Sequence, residues 1–212
     1  MSEFRSNAEL KSSARKQLSG KWDLAVIIIA IYIFFQIAVS MIPIAGSVIQ
    51  FLVSGAWTFG LLYCYLGISR GEAVKVEDLF CGFKLLLKTL LVTILQSIII
   101  SLGFILLVVP GIIASLSLAM SYYILIDNPE LSSFDVIKLS YHMMKGHRIR
   151  FLMLNLSFIG WAILATIPFG LGWLALAPYI NVTVASFYNE LRVMDSPENL
   201  GPDDSQHNLV IH

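Results

Sequence analysis

Of the 212 residues, 57% are hydrophobic and 13% charged, where a soluble domain carries roughly a quarter charged residues; too little polar surface remains for a water-soluble globule. Fourteen Lys and Arg balance fourteen Asp and Glu, so no basic excess points to nucleic acid, and nucleic acid is not expected as a partner. Two cysteines, Cys64 and Cys81, are too few for a metal site and are not expected to form a disulfide.

The first twenty residues are polar and mix Glu3 and Glu9 with Arg5, Lys11, Arg15 and Lys16. They lack the charged-then-apolar order of a cleavable signal peptide, so the mature chain is expected to start near Met1. Ser6-Asn7-Ala8-Glu9 matches a capping box, and Leu10, Ala14 and Leu18 then recur every four residues, which predicts a short amphipathic helix. Two apolar stretches follow, Leu24–Ile42 and Ile44–Ile68, joined by a turn at Pro43. Each is long enough to cross a hydrocarbon core of roughly 30 Å.

A second amphipathic stretch carries Val76, Leu79, Phe80 and Phe83 as its apolar stripe and leads into the spans Thr89–Val109 and Gly111–Ile126, with Pro110 as the expected turn. The fourth span is short and must borrow Pro110 or Asp127 and Asn128 at its ends. A third stretch, capped at Ser132, shows Phe134, Ile137, Tyr141 and Met144 on one face. It precedes the spans Phe151–Ile167 and Gly172–Tyr188, which turn at Pro168. Such stretches either lie in the headgroup plane, bases toward phosphate, or pack on the ends of the bundle. Residues 193–212 are acidic and rich in Pro, Gly and Asp, and are expected to form a disordered cytoplasmic tail.

The fold class is therefore all-α: a polytopic membrane helical bundle of six transmembrane helices arranged as three hairpins, each preceded by a cytoplasmic amphipathic helix. One integral membrane domain covers residues 1–192. Gly20-Lys21, Gly82-Phe83-Lys84 and Gly146-His147-Arg148 recur at nearly constant spacing ahead of the hairpins, which reads as a threefold internal repeat over 6–68, 75–127 and 132–190. All fourteen basic residues lie before the first span, between the second and third, between the fourth and fifth, or after the sixth. By the positive-inside rule both termini are then cytoplasmic, and the same charge map also fits hairpins that enter and leave one face without crossing.

No ionisable residue falls in a span interior; Asp23, Lys88, Asp127 and Glu190 all sit at span ends. This argues against proton-coupled transport and hydrolysis within the bilayer. Five amides do fall inside spans: Gln36, Gln50, Gln96, Asn155 and Asn181. They either line a polar path for a solute or serve as interhelical hydrogen bonds, and the second reading is preferred because their depths differ. His142 and His147 are five residues apart, which misses the spacing that puts two imidazoles on one helical face. No nucleotide-binding or hydrolase motif occurs, so neither cofactor, metal nor enzymatic activity is expected. Asp127 in Asp127-Asn128-Pro129-Glu130 is either a gating or ligand group or part of a helix-ending turn, and the turn is preferred. A cytoplasmic interface could draw on Arg15, Lys16, Lys84, Asp127, Lys145, His147 and Arg148.

Taken in order, Glu77-Asp78-Leu79-Phe80 with Gly82-Phe83, Pro110-Gly111-Ile112, Asp127 with Pro129, Ser140 with Met143-Met144-Lys145-Gly146-His147, Phe158-Ile159-Gly160-Trp161, Pro178-Tyr179 and Phe187-Tyr188 resemble the bacterial domain-of-unknown-function family 975 across residues 5 to 192. The resemblance implies six-span proteins of the cytoplasmic membrane, mostly in Gram-positive bacteria. A more distant similarity to the membrane domain fused to some glycerophosphodiester phosphodiesterases hints at lipid metabolism. It brings no catalytic residues. The leading expectation is a non-enzymatic scaffold, partner-binding or lipid-interacting module whose partners are the bilayer, anionic headgroups and a membrane protein or second copy. The alternatives are a transporter or channel for a small uncharged or amphipathic solute, and an enzyme using His142, His147 and Asp127 at the membrane surface.

Overall fold

The computed structural model describes residues 5–42, 45–167 and 170–194, and every regular element among them is helical. Helix α1 (Asn7–Leu18) is fixed by the expected capping box. The Glu9 amide donates to Ser6 Oγ at 3.2 Å, and the Ser6 amide donates to Glu9 Oε2 at 2.6 Å. The Ser6 amide, and after it the Ser6 hydroxyl at 2.9 Å, donate to the Glu9 carboxylate and hold its pKa below the ordinary value. A depressed acid pKa stabilises the fold at pH above the unfolded value, and the contribution is lost as pH falls through the folded one. Removing the acid by Glu9→Gln is therefore expected to abolish a small acid-side loss of stability, read by comparing thermal unfolding of both proteins at neutral and acidic pH.

The stripe Leu10, Ala14 and Leu18 is fully buried in protein. Leu10 joins one apolar core and Ala14 and Leu18 the other, so α1 ties the two cores together. Of the two placements open for this stretch, packing on the bundle describes its apolar face. Gly20, at φ 79°, ends the element in the left-handed region that glycine adopts without a steric cost.

Helices α2 (Trp22–Ser40) and α3 (Ala45–Arg70) form an antiparallel hairpin. The Tyr65 hydroxyl donates to the Ala25 carbonyl at 3.0 Å, and Gln50 Nε2 donates to Gln36 Oε1 at 3.3 Å. Lys21 Nζ donates to the Glu72 carbonyl at 2.8 Å and closes the charged end. The expected turn at Pro43 lies outside the described residues.

For the second amphipathic stretch too, packing on the bundle is the placement found: Val76–Leu85 is a 3-10 helix pressed along α3. A Cβ on Gly60 would collide with the Leu79 carbonyl, and one on Gly82 with the Ala56 carbonyl. These two glycines let the backbones touch, in the manner of small residues at membrane helix interfaces. Leu79 is fully buried, while Phe80 and Phe83 lie edge-on to Trp57. Gly82 thus has a packing role, unlike Gly20 and Gly146, which carry positive φ.

Pro110 is a correction. Helix α4 (Leu86–Leu106) ends before Leu107, whose extended backbone (φ −171°, ψ 160°) makes the turn, and α5 (Val108–Ser117) has Pro110 in its first turn. Proline is tolerated there because the first amides of a helix have no intrahelical acceptor. After a break at 118–120, α6 (Ser121–Asp127) completes an apolar segment of 20 residues from Val108 to Asp127. The fourth span does reach its length by including Pro110 and Asp127.

Helix α7 (Ser133–Met143) is capped by Ser132, which accepts from the Asp135 amide. Its buried face is Ser133, Val136, Ser140 and Met143. Phe134 and Tyr141, expected on the apolar face, are exposed; the face is selected by contact with α4 and α6, where small hydroxyl residues fit and aromatic rings do not. Helices α8 (Arg148–Leu156) and α9 (Ile159–Thr166) make a broken segment that begins three residues earlier than expected. The turn at Pro168 lies outside the described residues. Helix α10 (Gly172–Met194) extends two residues into the expected tail, and residues 195–212 lie outside the described residues.

Among the described residues, five segments are long and apolar enough to cross a bilayer: Trp22–Ser40, Ile49–Arg70, Val76–Leu106, Val108–Asp127 and Arg148–Thr166. With side chains such as Phe34 and Ile105 more than 70% exposed on them, the chain is an integral membrane protein whose outer surface is solvated by lipid. Helix α10 differs from these five. It carries Asn181, Thr183, Ser186, Asn189 and Glu190 and packs against α1, α2, α3 and α9, so protein rather than lipid covers most of it.

Candidate functional site at the charged end

The ends of α3, α6 and α10 meet through one carboxylate. Arg70, in the last turn of α3, donates from Nη1 and Nη2 to the two oxygens of Asp127 at 2.7 and 2.8 Å. This bidentate fork is the strongest geometry available to a side-chain ion pair. The Tyr188 hydroxyl donates to Asp127 Oδ2 at 2.8 Å, and Arg192 Nη1 approaches the same oxygen at 3.4 Å. The Asp127 side chain is 7% exposed, so it is a buried junction, neither a free interface group nor only part of a turn. Arg70 Nε also donates to Asn189 Oδ1 at 3.0 Å, and Asn189 Nδ2 donates to Ser69 Oγ at 2.9 Å. A second pair joins α8 to α10: Arg150 Nη2 donates to Glu190 Oε2 at 2.8 Å, while the Arg5 amide donates to Glu190 Oε1 at 2.6 Å.

Beneath α1, a groove of about 360 Å³ opens between the start of α2 and the facing stripes of α9 and α10. On α9 the wall is Trp161, Leu164 and Ala165, spaced one helical turn apart; on α10 it is Gly172, Ala175, Leu176 and Tyr179. Gly172 lets the two helices approach, since a Cβ there would meet the Ala165 backbone. Arg15 and Trp22 supply a cation and an indole at the α1–α2 side. Trp161 and Leu164 are more than half exposed, so this apolar slot is open laterally to lipid. Nearby, Lys11 Nζ donates to the Ser157 carbonyl at 3.1 Å and stands 4.3 Å from the Phe158 ring centre. Partial burial pushes the Lys11 pKa down from its ordinary value.

The five span amides do not gather along one path. Gln36 and Gln50 meet each other, and Gln36 also donates to the Tyr32 hydroxyl. Gln96 Nε2 donates at 2.9 Å to the Leu118 carbonyl, which also accepts from the amide and hydroxyl of Ser121 where α5 gives way to α6. Asn155 and Asn181 donate to the Phe151 and Ala177 carbonyls of their own helices. Of the expected interface cations, Arg15 lies at the groove, Lys16, Lys84 and Lys145 are exposed, and His147 and Arg148 are half-buried. Arg148 stands 4.5 Å from the Tyr141 ring centre. Sequence reasoning missed Arg70, Tyr188, Asn189 and the groove aromatics Trp22, Trp161 and Tyr179. The available signal was charge at the ends of four apolar segments, which must find partners once helices converge.

A family model described as "Protein of unknown function (DUF975)" matches residues 1–110 and 102–195. No curated protein and no solved structure matches the chain.

Proposed function

We propose, for a chain that belongs to the DUF975 family of proteins of unknown function, that this integral membrane protein is a non-enzymatic, multi-pass module of the bacterial cytoplasmic membrane that holds a phospholipid. In this reading the lipid lies in the lateral groove with one acyl chain along α9 and α10 and its phosphate at Arg15. The observation that carries it is the groove itself: apolar walls of Leu164, Ala165, Ala175 and Leu176 lead to a guanidinium and an indole at one end, the order of chemistry found along a lipid from tail to headgroup. Its volume falls within the roughly 300–1,000 Å³ of small-ligand sites. Lys11 and Lys16 on the same helix add positive charge close to the headgroup level, each such base contributing about 1 kcal/mol toward anionic lipid. This reading has both termini cytoplasmic, and what supports it is that every base lies outside the apolar segments on the same side of the expected hairpins.

The test is photolabelling of purified protein in bilayer discs with a phospholipid that carries a diazirine on its acyl chain. Adducts are expected to concentrate on peptides covering 161–179. The groove-filling substitution Ala175→Trp should reduce them about tenfold, because displacing two methylenes costs about 1.6 kcal/mol. Labelling spread evenly over all lipid-facing helices, or unchanged in Ala175→Trp, would refute the reading.

A further inference from the structure

Helix α7 presents an outer face to its surroundings. Phe134 and Tyr141 are 72% and 48% exposed, and Lys138 and Lys145 are exposed as well. At spacings of four, three and four residues these side chains follow one another along one side of the helix. Lys145 lies in the closing turn, where its amide donates to the His142 carbonyl at 2.9 Å. The opposite side is the anchored one, with Ser133 and Ser140 bonded to the Lys88 and Ser117 carbonyls. Five residues separate α7 from the end of α6 and four from the start of α8, and both of those helices belong to apolar segments long enough to cross a bilayer. Tethers that short keep α7 at the membrane boundary.

The charges there do not cancel among the described residues. Lys138, Lys145 and Arg148 stand on or beside the face, and Lys88 is tied to the head of α7 through the Pro129 and Leu131 carbonyls. Against these four bases stand two acids, Glu130 ahead of the helix and Asp135 in its first turn, whose carboxylate accepts from Ser132 Oγ. Asp127, at the end of α6, is already matched by Arg70. The Arg148 guanidinium stands 4.5 Å from the Tyr141 ring centre, so a cation borders that ring. Beside the face, between Phe134 and the α4 residues Leu87, Leu91 and Leu95, lies an apolar cleft of about 370 Å³. Leucines four apart form a continuous wall along α4, and Leu87 is 71% exposed.

We propose that the outer face of α7 binds anionic phospholipid, with the headgroup phosphate at Lys138 and Lys145 and an acyl chain in the cleft beside Phe134. Aromatic rings alternating with lysines belong to the headgroup region of a membrane, and lysine is depleted from protein–protein interfaces, which favours lipid over a partner chain as the occupant. The lysine stems let both ammonium groups reach phosphate while the rings stay in the apolar layer. Phosphatidylglycerol gathers here in preference to phosphatidylcholine, whose choline offsets the charge of its phosphate. The cleft shares no residue with the groove beneath α1, and the inference stands without that groove.

The experiment places the full chain, carrying Phe134→p-benzoylphenylalanine as a photoprobe, in bilayer discs with equal amounts of phosphatidylglycerol and phosphatidylcholine, and reads adducts by intact mass. Phosphatidylglycerol adducts are expected to exceed phosphatidylcholine adducts about fivefold, the ratio that one base at a membrane surface supports, and to fall toward parity as salt is raised. Lys138→Gln combined with Lys145→Gln should bring the two adducts to parity. Lys75→Gln combined with Lys84→Gln removes the same charge at the 3-10 helix and should leave the preference intact, as should Ala175→Trp in the groove. Equal adducts before any lysine is changed, a preference that survives loss of Lys138 and Lys145, equal losses in the two lysine pairs, loss in Ala175→Trp, or adducts with the mass of a second chain in place of lipid would overturn the proposal.

Discussion

Asp127→Ala is expected to lower the unfolding free energy by about 3 kcal/mol, the scale on which breaking one side of a buried ion pair is felt. The substitution leaves the half-buried Arg70 guanidinium without its bidentate acceptor and takes the only hydrogen-bond partner shown for the Tyr188 hydroxyl among the described residues. Helices α3, α6 and α10 lose their common contact at the same time. The Tyr123–Tyr188 stack, with ring centres 5.1 Å apart, loses the bond that orients it. Replacing both Arg70 and Asp127 by leucine should recover most of the loss, because a buried pair exchanged for apolar groups of similar size is often neutral. Thermal unfolding of the three proteins in detergent decides the matter. A single substitution that changes stability by less than about 0.5 kcal/mol would place Asp127 among ordinary surface residues.

Trp57→Ala carries a comparable or larger penalty, about 3–5 kcal/mol. The indole is 1% exposed, stacks on Phe35 with ring centres 4.2 Å apart, and meets Phe80 and Phe83 edge-on at 5.3 and 6.0 Å. It is what the 3-10 helix packs against, directly beside the contact of Gly82 with the Ala56 backbone. Its Nε1 makes no hydrogen bond among the described residues, so Trp57→Phe gives up only volume and should cost much less. Cys81 on the 3-10 helix is half-buried and free and reports on the same contact: a thiol reagent should modify it faster in Trp57→Ala than in Trp57→Phe. Equal rates would mean that the 3-10 helix is held elsewhere.

Hydrophobic length alone made the membrane character, the helical class and most span positions legible, since a run of apolar residues long enough to cross a bilayer has few other structures available to it. The Ser6–Glu9 and Ser132 caps were also readable, because a cap depends on residues three apart in the chain. What failed depended on neighbours distant in sequence. Pro110 reads as a turn, yet the helix starts before it, because proline at the head of a helix costs nothing. The stripe of Leu79 and Phe83 leaves an interfacial and a packed placement both open; Gly60 and Gly82 bring that segment onto α3, and nothing local to 76–85 announces the partner glycine on another helix. On α7, periodicity allows two adjacent faces, and the hydroxyls of Ser133 and Ser140 decide between them by donating to the Lys88 and Ser117 carbonyls. Gln96 was recognised as a buried amide without its acceptor, since the Leu118 carbonyl it reaches lies at a break, 118–120, that has no proline to mark it. Asp127 was visible as a charge at a span end, but its partner Arg70 is 57 residues away, a pairing that only the folded bundle reveals. The groove was invisible for the same reason: its walls come from four separate helices.

The most direct measurement of a lipid-holding role is native mass spectrometry of the wild-type chain and Ala175→Trp after extensive exchange into a lipid-free detergent. The wild type is expected to retain one phospholipid per chain and Ala175→Trp to lose it while remaining folded, with the lower unfolding temperature that follows from losing a bound ligand. A wild-type chain recovered without lipid, or a lipid retained equally by both proteins, would contradict a phospholipid seated in the groove between Arg15 and Leu164.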